Sequence, residues 1–488
     1  MSKIFPFIAA VICSAALSSG CSGFLTEETD GKVFDNVLSS QKGLESALTG
    51  AYKGLNVPWS IGICNGTFQQ FMAGADDIYC PTSDTNGNQF DICGVTDSNG
   101  SFASTWNGLY KVIIGANNVI DNYESCSGDA ATIKVMAGEA YFLRAYAYFM
   151  LVRLWGEIPL ILSTSYDPEE TSMTSSTEAD IYVRIEQDID NAVAMLGDER
   201  RNGEPGRPSK IVARALRAEI YLTEAGWPLK KEGYYAKAAE EAKAVLDESA
   251  SRGFILEENF TDLFINDDSK DCITSEDLFI IPASTTDNIV FYGAWSEPSE
   301  IGGWDIVFAE VGFMNNFPDG IRKDNTFYTE YTDDSGKTVS WENWKMRHPG
   351  ILKLMKYPQS GVKGSSSSTI PAHLLRLSQT ALTYAEAKAR ADGPDDAAYE
   401  WINKIRTRAG LGTLSGLTTE DFITACVNER AWELAGENVR WFDLLRLEMV
   451  DDTNASKDPQ YDQTVQVKER YTFPLPASET LLNPNLNK

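Results

Sequence analysis

The chain has 488 residues, a hydrophobic fraction of 43%, an aromatic fraction of 11% and a formal net charge of −28 at pH 7. That apolar content is enough for one large domain or two to three ordinary ones, and it excludes a disordered chain. So acidic a surface repels phosphate backbones and anionic lipid, which excludes nucleic-acid and membrane-surface binding and leaves neutral or cationic ligands open.

At the N-terminus, Lys3 precedes an apolar run over residues 4–17, followed by Ser18, Ser19, Gly20 and Cys21. The run is too short to span a bilayer but suits a secretory signal over residues 1–20. The sequence LSSGC resembles a bacterial lipoprotein cleavage box, although Leu17 stands one place further from the cysteine than usual. Lipidation of Cys21 would hold the protein to a membrane through the anchor alone. A plain signal peptide cut nearby is the alternative.

Residues 22–31 read as a tether, and a helix is predicted over 40–55. Residues 56–101 are rich in Gly, Asn, Asp and Ser and read as long loops within an N-terminal helical region, 21–260. Helical patterning resumes at 106–123. The segment 139–160, EAYFLRAYAYFMLVRLWGEIPL, is apolar nearly all round, which predicts a buried helix stopped by Gly156 and Pro159. Ile181, Ile185, Ile189, Ala192 and Leu196 form an amphipathic stripe after Ser176 and Thr177. Residues 210–221 and 234–247 look like a helical hairpin.

Between 261 and 370 the periodicity fades, aromatics and glycines rise, and a strand is predicted at 277–281. This region reads as an irregular, ligand-facing insertion. A C-terminal helical region, 371–488, follows, with helices predicted at 374–391, 397–409 and 419–446. Small residues at the helix crossings suggest tetratricopeptide-like pairs. The expected fold is mostly α: a tetratricopeptide-like helical-repeat scaffold with an irregular loop-rich insertion and a few short strands.

Charged residues cluster in the helices. Arg144 and Arg153 interrupt the buried helix and need carboxylate or carbonyl partners. Glu429, Glu433, Arg440 and Asp443 recur at helical spacing, as in a helix laced by its own salt bridges. All six read as structural rather than catalytic. Two histidines, with no nucleophile elbow or metalloprotease motif, leave little ground for an enzyme. Cys64, Cys80 and Cys93 cluster and could pair in an exported protein. The spacing of Asp84, Asn86, Asn88 and Asp91 resembles a calcium loop. Its glycine is misplaced and no closing glutamate follows, so an Asx-rich turn is preferred and no cofactor is expected.

A sugar ring stacks its C–H face on an aromatic and exchanges hydrogen bonds through its hydroxyls. Aromatics in loops with polar neighbours are therefore the candidate ligand site. One set is Trp59, Tyr79 and Phe90; the other is Tyr292, Trp295, Trp304, Asp305, Arg322 and Trp341.

Several segments together resemble one family. They are the helix at 139–160, WNGLYKVIIGANNVID, STEADIYVRIEQDIDNAVAML, RLSQTALTYAEAKAR, YEWINKIRTRAGL, ERAWELAGENVRWFDLLR and LPASETLLNPNL, in a consistent order over almost the whole mature chain. The chain is identified as a member of the SusD/RagB family, with Ala435, Gly436 and Asn438 departing from its usual pattern. The resemblance implies a surface lipoprotein of the outer membrane that binds oligosaccharide with loops of the two aromatic zones. It also implies a partner, a SusC-like TonB-dependent transporter, on which the protein acts as a lid. A peptide-binding member of the same family and an assembly scaffold without a small ligand are the alternatives.

Overall fold

The computed structural model describes residues 37–59, 68–165, 173–265, 272–284, 289–290, 293–357, 361–365, 368–454, 457 and 471–486. The signal segment, Cys21, the tether, Cys64 and Tyr292 lie outside the described residues. Helices α1 (Gln41–Leu55), α2 (Thr85–Asp91), α3 (Gly100–Asn122), α4 (Ala130–Trp155), α5 (Glu178–Met195), α6 (Lys210–Glu224) and α7 (Tyr234–Ser249) occupy the first half. The second half supplies α8 (Leu377–Asp392), α9 (Asp396–Arg408), α10 (Thr419–Glu433), α11 (Arg440–Arg446) and α12 (Ala477–Leu482).

Local chemistry explains most of these bounds. Side chains of Ser40, Asp129 and Thr177 accept hydrogen bonds from the first-turn amides of α1, α4 and α5. Gly156, at φ +73°, ends α4 in a conformation that a Cβ resists. The buried residues of α4 lie on all sides, Phe142, Leu143, Tyr148, Leu151 and Trp155 among them. That is what its unbroken apolar pattern predicts, because such a helix has no face for water.

The long helices form one array. α1 packs on α3, α3 on α4, α4 on α5, α5 on α6, α6 on α7, and α7 on α8, which also meets α9 and α10. The two helical blocks of the sequence are thus continuous in space. Where α7 crosses α8, the alanines of both, Ala238, Ala242, Ala381 and Ala385, are buried.

The segments outside the array form paired strands. β1 (Ile78–Tyr79) pairs antiparallel with β3 (Phe308–Ala309), and β2 (Asp277–Ile281) with β8 (Ala372–Arg376). β4 (Phe327–Tyr328) pairs with β7 (Gly350–Ile351), and β5 (Glu330–Thr332) with β6 (Thr338–Ser340). Three expectations are corrected. Residues 68–101 are largely buried and carry α2 and β1 rather than long loops. The helix expected from 374 begins at Leu377, because residues 372–376 extend to pair with β2. The helix expected over 419–446 is broken between Glu433 and Arg440. There Gly436 takes φ +73°, donates its amide to Asp77 Oδ2 at 3.0 Å and faces Ile351, whose Cγ2 would sit 2.8 Å from an added Cβ.

All of the charged residues read as structural except Arg153 are ion-paired, and apart from Asp443–Arg446 within α11 these pairs run between elements rather than along a helix. Glu433 receives Arg322 from the middle region at 2.9 Å, Arg408 of α9 at 2.5 Å and Arg376 of β8 at 3.3 Å. Glu429 receives Arg322 and Arg406, and Glu276 receives Arg376 and Arg408. Glu437 takes Arg376 and Lys353. Asp443 takes Arg430 and Arg446, Arg440 holds Asp76, and Arg144 holds Asp188. Arg322, expected to touch ligand, is therefore part of this interior. Arg153 differs from the rest: it has no ion pair among the described residues. Its guanidinium lies between the rings of Phe149 and Phe442, 3.7 and 3.8 Å from their centroids, and donates to the Phe149 carbonyl. Burial pulls its pKa down to about 10.

Burial alone would raise the pKa of Glu433, but Arg408, Arg376 and Arg322 outweigh it and hold the group at about 2. Because the folded value is depressed, this stabilisation is present above the ordinary carboxylate range and is lost as pH falls towards about 2. Glu433→Ala takes one carboxylate from three buried guanidinium groups, which keep only Glu429, Glu276 and Glu437 between them, and is expected to cost about 3–5 kcal/mol. Guanidinium-chloride unfolding at neutral pH measures this. A loss no larger than that of an exposed control such as Glu400→Ala would show that the network carries no stability.

Candidate functional site

Most of the aromatics expected to meet ligand are core. Trp59 follows α1 in a short 3₁₀ turn and is buried. Phe90 packs on Phe71, Phe102 and Phe473 with ring centroids 4.7, 5.6 and 5.2 Å away. Tyr79 lies on β1 and stacks on the buried His348 ring at 3.6 Å. Trp341 is buried in a turn after β6. These rings are large and apolar, and the loops that hold them fold onto the helical array instead of leaving it.

Trp304 is different: 41% of its surface is exposed. It sits on a loop that closes on itself. The Trp304 amide donates to the Ala294 carbonyl at 3.0 Å, and the Ile306 and Val307 amides donate to the Trp295 carbonyl at 3.0 and 3.2 Å. The tip turns through Gly302 and Gly303. A Cβ on Gly303 would lie 1.9 Å from the Glu297 carbonyl oxygen, so only glycine fits there. Trp295 is buried beneath, stacked with Trp304 at a centroid distance of 6.2 Å and an interplanar angle of 28°. An indole supported on one side by another indole presents its remaining face with little freedom left to lose.

Polar groups are tied to the residues of this loop. Asp305 is buried; it accepts from the Ser299 amide at 2.8 Å and from Lys345 Nζ at 3.0 Å. The Lys345 amide donates to Glu300 at 2.6 Å. Tyr328 and Tyr331 pack on Trp344, and Tyr328 meets Tyr357, over which Lys363 lies at 5.7 Å. Glu297 ties the two sides together. Its carboxylate, fully buried, accepts from the amides of Tyr357 at 3.1 Å and Gly364 at 2.9 Å. Burial raises this acid to about 7, and the two amides offset only part of the rise.

Of the predicted site residues, Trp295, Trp304 and Asp305 thus come together. Glu297, Lys345 and Tyr357 were missed. The adjacent glycines before Trp304 were the legible signal of a tight, ring-presenting turn. Lys345 and Tyr357 arrive from distant segments, and no spacing announces them. An exposed indole on a loop that also carries Glu300 and holds Lys345 through Asp305 can stack a flat C–H face and lies in reach of groups that hydrogen-bond hydroxyls.

The residues whose spacing resembles a calcium loop, read as an Asx-rich turn, lie in and around α2. Asp84 caps the helix by accepting from the Asn86 and Gly87 amides, Asn88 donates to the Cys80 carbonyl, and Asp91 is buried beside Lys457. The alternation runs through the cap and body of a helix. No group of three or more His, Cys, Asp or Glu side chains among the described residues is arranged to hold a metal. No helix among them is long and apolar enough to cross a membrane.

Residues 287–488 match a family model described as the SusD family, and residues 23–222 match one described as starch-binding, associating with the outer membrane. SusD-like protein P2 of Formosa agariphila is 29% identical over 434 residues, covering 82% of this chain and 83% of that protein. Two solved structures share the fold. A SusD superfamily protein from Parabacteroides distasonis has a TM-score of 0.78 at 23% identity, covering 91% of this chain and 98% of that one. A laminarin-binding SusD-like protein has a TM-score of 0.74 at 20% identity, with the same coverages of 91% and 98%.

Because the Glu297 acid is raised from 4.5 to about 7, the folded state binds its proton more tightly than the unfolded chain does. Its contribution to stability is therefore full below the ordinary value and is lost as pH rises towards about 7. Melting temperatures of the wild type and of Glu297→Gln, compared from pH 4.5 to 7.5, should show the wild type losing more. Parallel curves would place the proton elsewhere.

Proposed function

The chain belongs to the SusD/RagB family, and from that premise we propose that it is a surface glycan-binding lipoprotein without catalytic activity. It captures oligosaccharide on the Trp304 face and passes it to a SusC-like TonB-dependent transporter in the outer membrane. The observation that carries this reading is the Trp304 ring, exposed yet fixed on the buried Trp295. Stacking removes apolar surface of ring and sugar from water, while Lys345 and Glu300, tied to the same loop, supply a donor and an acceptor for hydroxyls. The laminarin-binding relative supports a glycan as the ligand, and the match to a family described as associating with the outer membrane supports the location. Cys21 after a signal-like segment supports anchoring by lipid. The net charge of −28 favours a neutral glycan over an anionic one.

Loss of a stacked aromatic anchor typically costs about 1–2 kcal/mol, or roughly five- to thirtyfold in affinity. Trp304→Ala is expected to weaken laminarin-oligosaccharide binding by that factor without lowering the melting temperature. Isothermal titration at low and high salt checks it. Unchanged affinity in the variant, or binding of cationic peptides that salt abolishes, would overturn the glycan reading.

Anchoring has its own check. In a Bacteroidetes host fed an alkyne-tagged fatty acid, the wild type should take up label and Cys21→Ser should not. Equal labelling of both, or of neither, would refute acylation at Cys21.

A further inference from the structure

A second concavity shares no lining residue with the Trp304 loop. It has a volume of about 270 Å³, and among its lining residues are Asp76, Phe313, Asn316, Asn428, Trp432 and Arg440. Phe313 and Trp432 are half-buried, and both rest on Phe317, at centroid distances of 5.8 and 6.4 Å. Two apolar walls are thus held from behind, as Trp304 is held by Trp295. Asn316 and Asn428 are exposed, and their side-chain amides make no hydrogen bond among the described residues. Each offers both a donor and an acceptor.

Each charge at the floor has an opposite partner. Arg440 gives Nε and Nη2 to Asp76 at 2.7 and 2.9 Å, while Nη1, buried, has no hydrogen-bond partner. Lys457 is set against Asp91 and Glu310. An anionic ligand would therefore meet no unpaired cation, and a cationic one no unpaired carboxylate. The volume falls just below the roughly 300–1,000 Å³ of drug-sized ligand sites. Aromatic walls, uncharged amides at the rim, an ion-paired floor and the free Arg440 Nη1 donor match a small, neutral, polyhydroxylated ring.

We infer that this pocket is a second carbohydrate site, separate from the Trp304 face, that takes a single neutral pyranose unit. Its ring lies between Phe313 and Trp432, and its hydroxyls engage Asn316 and Asn428. The site makes the protein bivalent for a branched or long glycan, so that one arm can be held while another rests on Trp304.

The test uses the full chain carrying Trp304→Ala, which removes the first platform. Saturation-transfer NMR is run with the methyl pyranosides of glucose, galactose, mannose and xylose, and with N-acetylglycinamide as a peptide surrogate. Transfer is expected to at least one pyranoside, with a roughly tenfold weaker affinity after Asn428→Ala or Asn316→Ala is added. Both positions are exposed, so the variants should keep the parent's melting temperature. Transfer that neither asparagine substitution changes would overturn the inference, as would transfer to N-acetylglycinamide alone. If Trp304→Ala by itself abolishes all sugar signal seen with the wild type, the second site is refuted while the glycan reading of Trp304 stands. No pyranoside signal from either protein would refute the second site and leave Trp304 to be judged by oligosaccharide titration.

Discussion

The fold depends on arginines that are ion-paired away from water. Arg376 is the clearest case: it reaches Glu276, Glu433 and Glu437 at once, while only 1% of its side chain is exposed. Desolvating these ions is expensive, and their mutual attraction repays it only when several partners converge with good geometry. Convergence is therefore what the chain supplies. Glu276 comes from the segment leading into β2, Arg322 and Lys353 from the middle region, Arg408 from α9 and the glutamates from the end of α10 and the turn beyond. Hydrophobic contact alone would tolerate sliding of these pieces. A set of charges with fixed partners does not, and it determines how the irregular middle region sits on the helical array.

The Trp304 face is a consequence of that registration. Its loop is closed by its own backbone hydrogen bonds and is supported from below by Trp295, by the Glu297 carboxylate that gathers two amides, and by β3, which is paired with β1. The interior spends charge to make a rigid frame, and the frame presents one aromatic ring to water. Binding at such a surface loses little conformational entropy, because the ring is already placed.

The helical part of this architecture was legible in the sequence because each helix carries its own signal. Thr177 before the Ile181 stripe, Gly156 after the aromatic run and the alanines of α7 are local facts, and local facts survive without tertiary information. The site was much less legible. Phe90 and Trp304 both stand near glycines, asparagines and aspartates in the sequence, yet Phe90 is buried against Phe71 and Phe102 while Trp304 faces solvent. What separates them is which neighbouring segment folds over the ring, a non-local property. The same limit explains the charge network. Helical spacing between Glu429 and Glu433 suggested partners within a helix, whereas the real partners are arginines on other elements. It explains Arg153 too, whose aromatic sandwich joins α4 to α11 across most of the chain.

The contact between α7 and α8 bears on the order in which the chain can fold. The helices from α1 to α7 meet neighbours close in sequence and can assemble as they emerge. The alanine face of α7 is then covered by α8, a helix that arrives only after the whole region between Ser249 and Leu377. Loop closure over so long a span is entropically slow, and the pairing of β2 with β8 closes a similar span. The unfinished array therefore has an open end, and that end is sealed late by the C-terminal block. A chain truncated before α8 would keep most of its helices and lose its closure, leaving the open face of α7 as the place where misassembly begins.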